Sequence, residues 1–198
     1  MCRYIETIRI EKGRLRNIAY HDRRMNEVRR EVWGVDRSVS LETYIDASPY
    51  EERTRCRVTY GRDVESVEFF PYQIRPVHSL QLVRGGQIEY RRKRADRSEL
   101  NALFACRGEA DDVLIVRGGL LTDTSIANIA LGDGTGWYTP ASPLLEGTQR
   151  ACLLDAGMIR PLDIHADDLF RFQKIRLFNA MIDFGEIEID CSAIMPLR

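Results

Sequence analysis

Apolar and polar residues alternate in "YIETIRIEKGRLRNI" at positions 4–18. A period of two residues is typical of a strand with one buried face. Lys12-Gly13 interrupts the alternation with a turn-forming pair. The pattern therefore predicts a hairpin of two short strands.

Helical spacing follows in "YHDRRMNEVRREVWG", where Met25, Val28 and Val32 are three and four residues apart and Gly34 supplies a stop. This spacing predicts an amphipathic helix. We predict a second helix in "SLETYIDASPYEE", with Ser40 as its N-cap.

Two strand-like segments, "RTRCRVTYG" and "VESVEFFPYQI", come next and are joined by "GRD". Pro71 and Pro76 then interrupt the pattern. We place a boundary near residue 75, between a small N-terminal α/β lobe (1–75) and a larger C-terminal lobe (76–198).

The second lobe repeats the alternation of strands and helices. "SLQLVRGG" predicts a strand, "SELNALFACRG" a helix, and "DDVLIVRGGLLTDTSIANIALGDGTGWYTP" three short strands with glycine-rich turns. "GTQRACLLDAG" predicts a compact helix, and "IRLFNAMIDFGEIEID" closes the chain with strand character. Both halves mix strands and helices, which favours an α+β or α/β fold over a helical bundle.

Composition narrows the class of protein. The 198 residues carry a net charge of −1, which argues against a general binder of nucleic acid. The five cysteines are far apart and odd in number, so we expect free thiols in a reducing cytoplasm and no metal site. No apolar run is long enough to predict a membrane span or a signal peptide.

One lysine lies in the middle of an arginine-rich run, "YRRKRADRSE" at 90–99. The chain has 29 basic residues, of which only Lys12, Lys93 and Lys174 are lysine. Arginine stays protonated, whereas a lysine beside other cations can lose its proton and condense with an aldehyde. Lys93 is therefore a candidate nucleophile, and a solvated surface lysine is the competing interpretation.

Two further features suggest a cofactor. Asp123 lies at the end of a predicted short strand, and a turn at Gly147 leads directly into a helix. The free N–H groups of a first helical turn favour an anion such as a phosphate. Arg24 on the first helix could supply a cation to bind that phosphate. The alternative interpretations are a turn or surface carboxylate for Asp123 and an ordinary helix start for Gly147.

Taken in order, these segments resemble the class IV aminotransferase family, the fold-type IV pyridoxal-phosphate enzymes. "ETIRI" resembles the family's "FETIR" strand, and "HDRRM" resembles its "HxxRL" motif. "GLLTDTSIANIAL" is similar to "GxVTExxxxNIF", and "YTPASPLLEGTQR" to "YTPxxxxxLxGITR". "LFNAMIDF" is closer to the "CNALMPV" of the aminodeoxychorismate lyases than to the corresponding aminotransferase motif.

The resemblance implies a two-lobed, D-amino-acid-aminotransferase-like fold and a role for each matching residue. Lys93 would bond covalently to pyridoxal 5'-phosphate and move a proton at the substrate carbon, and Asp123 would pair with the pyridine nitrogen. The remaining cofactor-binding positions implied are Arg24, Asn128, Gly147, Thr148, Gln149, Asn179 and Ala180. Arg57 and Thr7 would face the substrate, with Arg57 pairing with a carboxylate; an exposed strand arginine is the alternative.

This sequence departs from the family pattern at three places. It begins almost at the "FETIR" strand, so we expect a shortened N-terminal lobe. Asp123 stands where the family usually has glutamate, and Gln149 replaces a threonine.

The favoured function is a 4-amino-4-deoxychorismate lyase that forms 4-aminobenzoate and pyruvate for folate synthesis. An aminotransferase for D- or branched-chain amino acids and a non-catalytic relative of the same scaffold are the alternatives. The resemblance implies a homodimer acting on a small carboxylated amine, without nucleic acid or a membrane as partner.

Overall fold

A computed structural model of the chain describes residues 2–197, in which thirteen strands form three sheets. The backbone divides into two units. Unit 1 runs to Ile74 and also takes in Arg92–Asp96, whereas unit 2 holds Arg75–Arg91 and the residues from Arg97 onward. Lys93 therefore belongs to the first unit although it is distant from it in sequence.

Unit 1 is a four-stranded antiparallel sheet with one long helix. Its elements are β1 (Tyr4–Glu11), β2 (Arg14–Leu15), α1 (Ile18–Trp33), β3 (Thr54–Tyr60) and β4 (Val64–Pro71), in the sheet order β2-β1-β3-β4. Lys12 and Gly13 both have positive φ, as a two-residue hairpin turn requires. The predicted hairpin and first helix are confirmed.

The core of unit 1 lies on one face of this sheet. Met25 and Val28 of α1 pack with Ile8 of β1 and with Cys56 and Val58 of β3, all almost fully buried. Along β3 the burial alternates strictly, so every second residue points to the opposite face.

The predicted second helix is wrong, because the segment contains only a 3-10 turn at Leu41–Thr43. The Asp46 carboxylate accepts hydrogen bonds from the backbone N–H and the hydroxyl of Ser48, at 3.0 and 2.7 Å. Such side-chain turns compete with helical bonding, and Pro49 follows at once.

Unit 2 holds two sheets and two helices. Its elements are β5 (Leu80–Arg84), α2 (Ser98–Ala105), β6 (Asp112–Arg117), β7 (Leu120–Thr124), β8 (Asn128–Gly132), β9 (Trp137–Pro140), α3 (Thr148–Asp155), β10 (Arg160–Leu162), β11 (Lys174–Asn179), β12 (Ile182–Asp190) and β13 (Ile194–Met195). The sheet orders are β13-β5-β6-β7 and β10-β9-β8-β11-β12. Both predicted helices are present.

The glycine-rich stretch from 111 to 140 holds four strands, β6 to β9, where the sequence predicted three. Gly118 and Gly119 both have positive φ and form a tight turn that splits one apolar run into β6 and β7. Asp123 therefore lies on β7, a separate short strand.

The arginine-rich run lies along β1 without forming a regular strand. The backbone N–H of Ile5 donates to the carbonyl of Lys93 at 2.9 Å, and Tyr4 pairs with Arg94 in an isolated bridge. The run then leads into α2 at Ser98, as predicted. Among the described residues, no helix is both long and apolar enough to cross a membrane.

Candidate active site

A buried ionic cluster lies beside the Lys93 segment in unit 1. Glu6 on β1 is fully buried, and its carboxylate accepts from Arg24 Nε at 2.9 Å and from Arg24 Nη2 at 2.5 Å. His21 Nδ1 lies 2.6 Å from Glu6 Oε2, the oxygen that also accepts from Arg24 Nη2. The "HDRRM" motif thus delivers two side chains, one helical turn apart, to one carboxylate on the neighbouring strand.

The charges in this cluster compensate one another. Burial alone would raise the pKa of Glu6, but the Arg24 charge and the His21 hydrogen bond outweigh it and lower that pKa to about 2. Burial lowers the pKa of His21 despite Glu6, and the Arg24 and Lys93 charges act in the same direction. A neutral His21 must therefore donate from Nδ1, because the ionised carboxylate can only accept.

The substrate-facing pair predicted from the sequence is adjacent in the sheet. Thr7 of β1 and Arg57 of β3 are direct cross-strand partners, so both side chains leave the same face. That face is the one opposite the core of unit 1.

Unit 2 supplies a second buried carboxylate, Asp123, which is 4% exposed. Its Oδ1 accepts from the side-chain amide of Asn128 and its Oδ2 from the backbone N–H of Leu145, both at 2.8 Å. Asn128 also donates to the carbonyl of Leu145 at 2.8 Å. The amide of Asn128 thus fixes both the carboxylate and the loop before α3.

Among residues 2–197, no side-chain cation is in hydrogen-bond contact with Asp123. Burial raises its pKa from the ordinary 3.8 to about 6, and the hydrogen bonds from Leu145 and Asn128 only partly oppose this shift. A weaker opposing effect comes from the charge of Arg150, a buried residue that the sequence reasoning missed. Arg150 donates from Nη2 to the carbonyl of Pro140 at 2.9 Å; its position in "GTQR", one residue after Gln149, could have indicated it.

The turn into α3 requires a glycine. A Cβ atom on Gly147 would lie 2.0 Å from Asn128 Oδ1, which is far inside van der Waals contact. Gly147 is the N-cap and Thr148, which is buried, begins the helix. The same asparagine therefore contacts both Asp123 and the start of α3, so these two predicted positions are close together in unit 2.

Asn179 is the last residue of β11, and Ala180 lies in the turn that leads into β12. Asn179 Oδ1 accepts from the backbone N–H groups of Met181 and Ile182 at 2.8 and 3.1 Å, and its amide donates to the carbonyl of Ile126 at 3.1 Å. Asn179 thus links this turn to the loop between β7 and β8, which follows Asp123.

Comparisons with known proteins place this arrangement in a family. The model of the family described as amino-transferase class IV matches residues 93–188. The crystal structure of a candidate 4-amino-4-deoxychorismate lyase from Haemophilus somnus 129PT is 35% identical to this chain, covers 92% of it and 97% of its own length, and superposes with a TM-score of 0.85. The chain belongs to the class IV aminotransferase family.

Two further proteins are similar to this chain. An uncharacterized protein from Haemophilus influenzae is 38% identical over 180 residues, which is 89% of this chain and 96% of that protein. A hypothetical aminotransferase from Mycobacterium tuberculosis in its PLP-bound form is 17% identical, with a TM-score of 0.78 over 99% of this chain and 83% of its own. At that identity it supports the fold alone. The predicted family and the fold-type IV fold are confirmed, and the family is one of enzymes.

The residues present fit a phosphorylated pyridine cofactor chemically. Asp123 is a buried carboxylate held by neutral donors, which suits a protonated ring nitrogen. The glycine-initiated helix α3 suits a phosphate. In unit 1, Arg24 is held by Glu6, and its role toward a phosphate stays a prediction.

Proposed function

We propose that this chain is a pyridoxal 5'-phosphate enzyme that acts on a small carboxylated amine, and specifically a 4-amino-4-deoxychorismate lyase. The reaction breaks the bond between the ring and the enolpyruvyl oxygen, removes a ring proton, and yields 4-aminobenzoate and pyruvate. The observation that carries the proposal is the 35% identity to the candidate lyase over almost the whole of both chains.

The proposed chemistry assigns separate tasks to Lys93 and Asp123. The bound cofactor would supply an electron sink. Lys93 would hold it covalently, take a proton from the substrate carbon and return one to the leaving group. Asp123 would keep the ring nitrogen protonated, a task for which a carboxylate without a cationic hydrogen-bond partner is suited.

The remaining predicted residues would position the cofactor. Arg24, Thr148 and Gln149 would hold the phosphate together with the backbone at Gly147. Asn128 would fix Asp123, a function supported by its 2.8 Å hydrogen bond to that carboxylate. Asn179 and Ala180 would contact the cofactor from the β11–β12 turn.

The test offers the purified, cofactor-loaded protein aminodeoxychorismate without any 2-oxo acid, and measures pyruvate and 4-aminobenzoate. We expect equal amounts of both products, and none from Lys93→Ala, which should also lose the yellow colour of the bound cofactor. Parallel reactions contain D- or branched-chain amino acids with 2-oxoglutarate. Amino transfer in those reactions without pyruvate release from aminodeoxychorismate would overturn the lyase in favour of the aminotransferase.

We also propose that the protein works as a homodimer in the cytoplasm and contributes to folate synthesis. The five cysteines, all free thiols, support a reducing compartment. Light scattering on the eluted protein should give twice the chain mass of 22.8 kDa. A monomer at micromolar concentration would contradict the dimer.

A further inference from the structure

The loop between β7 and β8, which follows Asp123, is held at two consecutive carbonyl groups by side chains from distant parts of the chain. Arg97 Nη2 donates to the carbonyl of Ser125 at 2.8 Å. The side-chain amide of Asn179 donates to the next carbonyl, that of Ile126, at 3.1 Å. The position of this loop is therefore fixed by contacts from outside it.

The same loop is also closed on itself. The hydroxyl of Thr124 accepts from the backbone N–H groups of Ile126 and Ala127 at 3.3 and 3.0 Å. The backbone N–H of Thr124 donates to the carbonyl of Ala127 at 2.9 Å. Asp123 immediately precedes this closed turn and Asn128 immediately follows it. A displacement of the turn would therefore move both residues that form the carboxylate–amide hydrogen bond.

Arg97 occupies a position that its own helix does not favour. It is the N-cap of α2, and its side chain makes no capping hydrogen bond. N-caps are usually serine, threonine, aspartate or asparagine, and a positive charge is disfavoured at the N-terminus of a helix. Residues that break a local preference in this way are expected where the fold or the function requires them. The hydrogen bond to Ser125 supplies such a requirement.

The segment that ends at Arg97 is the one that carries Lys93. The carbonyl of Lys93 accepts from the backbone N–H of Ile5 at 2.9 Å, and the backbone N–H of Ala95 donates to the carbonyl of Arg3 at the same distance. These bonds attach the segment to β1 and to the residue before it. Two residues later, Arg97 attaches the chain to the β7–β8 loop.

We propose that Arg97 is a positioning residue for Asp123, because its hydrogen bond to the Ser125 carbonyl keeps the Asp123 carboxylate where it can pair with the ring nitrogen of the cofactor. This inference rests on the proposed function, since it assigns a further residue to the same enzyme. In this role Arg97 acts only through the loop and contacts neither substrate nor cofactor.

The test follows the visible absorption band of the cofactor-loaded protein over a series of pH values. Arg97→Met removes the donor and leaves Lys93 in place, so the band should persist. A displaced Asp123 no longer keeps the ring nitrogen protonated, and loss of that positive charge raises the pKa of the nearby nitrogen that Lys93 contributes. We expect the pH midpoint of the band to rise by about one unit. Pyruvate release should slow about 10- to 100-fold with little change in KM.

Two further variants separate positioning from stability. Arg97→Ser supplies a favourable N-cap but cannot reach Ser125, so it should raise the midpoint as Arg97→Met does while protecting α2. Arg117→Met is the matched control, because Arg117 Nη1 also donates to a distant backbone carbonyl, that of Ile88, at 3.5 Å. It should leave the midpoint at its wild-type value. All spectra are recorded well below the melting temperature of each variant.

A double variant tests whether Arg97 acts through Asp123. Asp123→Asn should raise the midpoint by itself, and Arg97→Met should add almost nothing to that change. Shifts that add in Arg97→Met/Asp123→Asn would mean that Arg97 acts by another route, and they would overturn the inference.

A wild-type midpoint in both Arg97→Met and Arg97→Ser would also overturn it, even if their melting temperatures fell, because a purely structural role predicts that result. Failure of the proposed function is a separate outcome. A protein that makes no pyruvate from aminodeoxychorismate but shows the shifted midpoint contradicts only the lyase. Conversely, pyruvate release together with an unshifted midpoint contradicts only the role of Arg97.

Discussion

Glu6 in unit 1 and Asp123 in unit 2 are both buried carboxylates, yet their environments shift their pKa values in opposite directions. Glu6 is bonded to Arg24 and His21, and its pKa is lowered to about 2. Asp123 is bonded to an asparagine amide and a backbone N–H, and its pKa is raised to about 6. The charge of Glu6 is compensated by Arg24, whereas Asp123 has no cationic hydrogen-bond partner in the described part of the chain and is only weakly stabilised by the charge of Arg150. In the proposed enzyme that partner is the protonated ring of the cofactor.

The largest expected effect comes from breaking the compensated cluster. Glu6→Gln leaves Arg24 partly buried without its carboxylate, and removing one partner of a buried pair lowers the free energy of unfolding by about 3–5 kcal/mol. Urea unfolding at pH 7 measures this change. Glu68→Gln, an exposed change on β4, is the control and should alter stability by less than about 0.5 kcal/mol.

A double variant tests whether Glu6 and Arg24 interact. Glu6→Gln/Arg24→Met removes the unpaired charge as well, so it should be less destabilised than the sum of the two single variants. Strict additivity would mean that the two side chains do not interact.

The second prediction concerns Asp123, where we expect loss of activity without loss of stability. Asp123→Asn should lower the rate of pyruvate release about 10²–10³-fold, as does removal of an electrostatic group that acts on the reacting system. Its free energy of unfolding at pH 7 should change little, because removal of a buried charge is offset by the loss of one of the two acceptor oxygens that Asn128 and Leu145 use. Activity within tenfold of the wild type would contradict the assigned role.

The pH dependence of stability separates the two acids without any substrate. Between about pH 4 and 6 the native state of the apo-protein holds a proton on Asp123 that the unfolded chain has lost, so stability falls as pH rises. For Glu6 the sign is reversed, and stability is lost as pH falls from 4.5 toward about 2. Burial lowers the pKa of His21 and adds a slope of the opposite sign over part of this range, but wild type and Asp123→Asn share it. Denaturant titrations at a series of pH values should therefore show Asp123→Asn gaining up to about 3 kcal/mol relative to wild type from pH 4 to 6. A constant difference between the two proteins over this range would contradict the shift.

The smallest effect is expected at the glycine beside Asp123. Gly147→Ala places a methyl group on Asn128 Oδ1 and displaces the amide that donates to Asp123. The cost is about 1–3 kcal/mol for the buried groups left without partners. Asn128→Ala removes the obstacle, so the double variant should lose less stability than the two single changes added together. If Gly147→Ala melts at the wild-type temperature, the close contact is not maintained in solution.

Hydrophobic spacing and turn-forming residues predicted the local structure correctly where a single pattern was clear. The three- and four-residue spacing from Met25 to Val32 became α1, and Lys12-Gly13 became the hairpin turn. The helix predicted after Ser40 is absent, because the carboxylate of Asp46 accepts a hydrogen bond from the backbone N–H of Ser48. A side-chain hydrogen bond of this kind competes with the backbone hydrogen bonds of a helix.

The sequence by itself determined the family, because the motifs that carry it are short, ordered segments. It also placed Asp123 and Asn128 five residues apart in one motif, and the two side chains are hydrogen-bonded in the structure. Only the tertiary structure decided the charge state of each site. Glu6 meets His21 and Arg24 across 15 and 18 residues of chain. A pKa depends on burial and on the nearest charges, and both are set by which elements pack together rather than by which residues are adjacent in sequence.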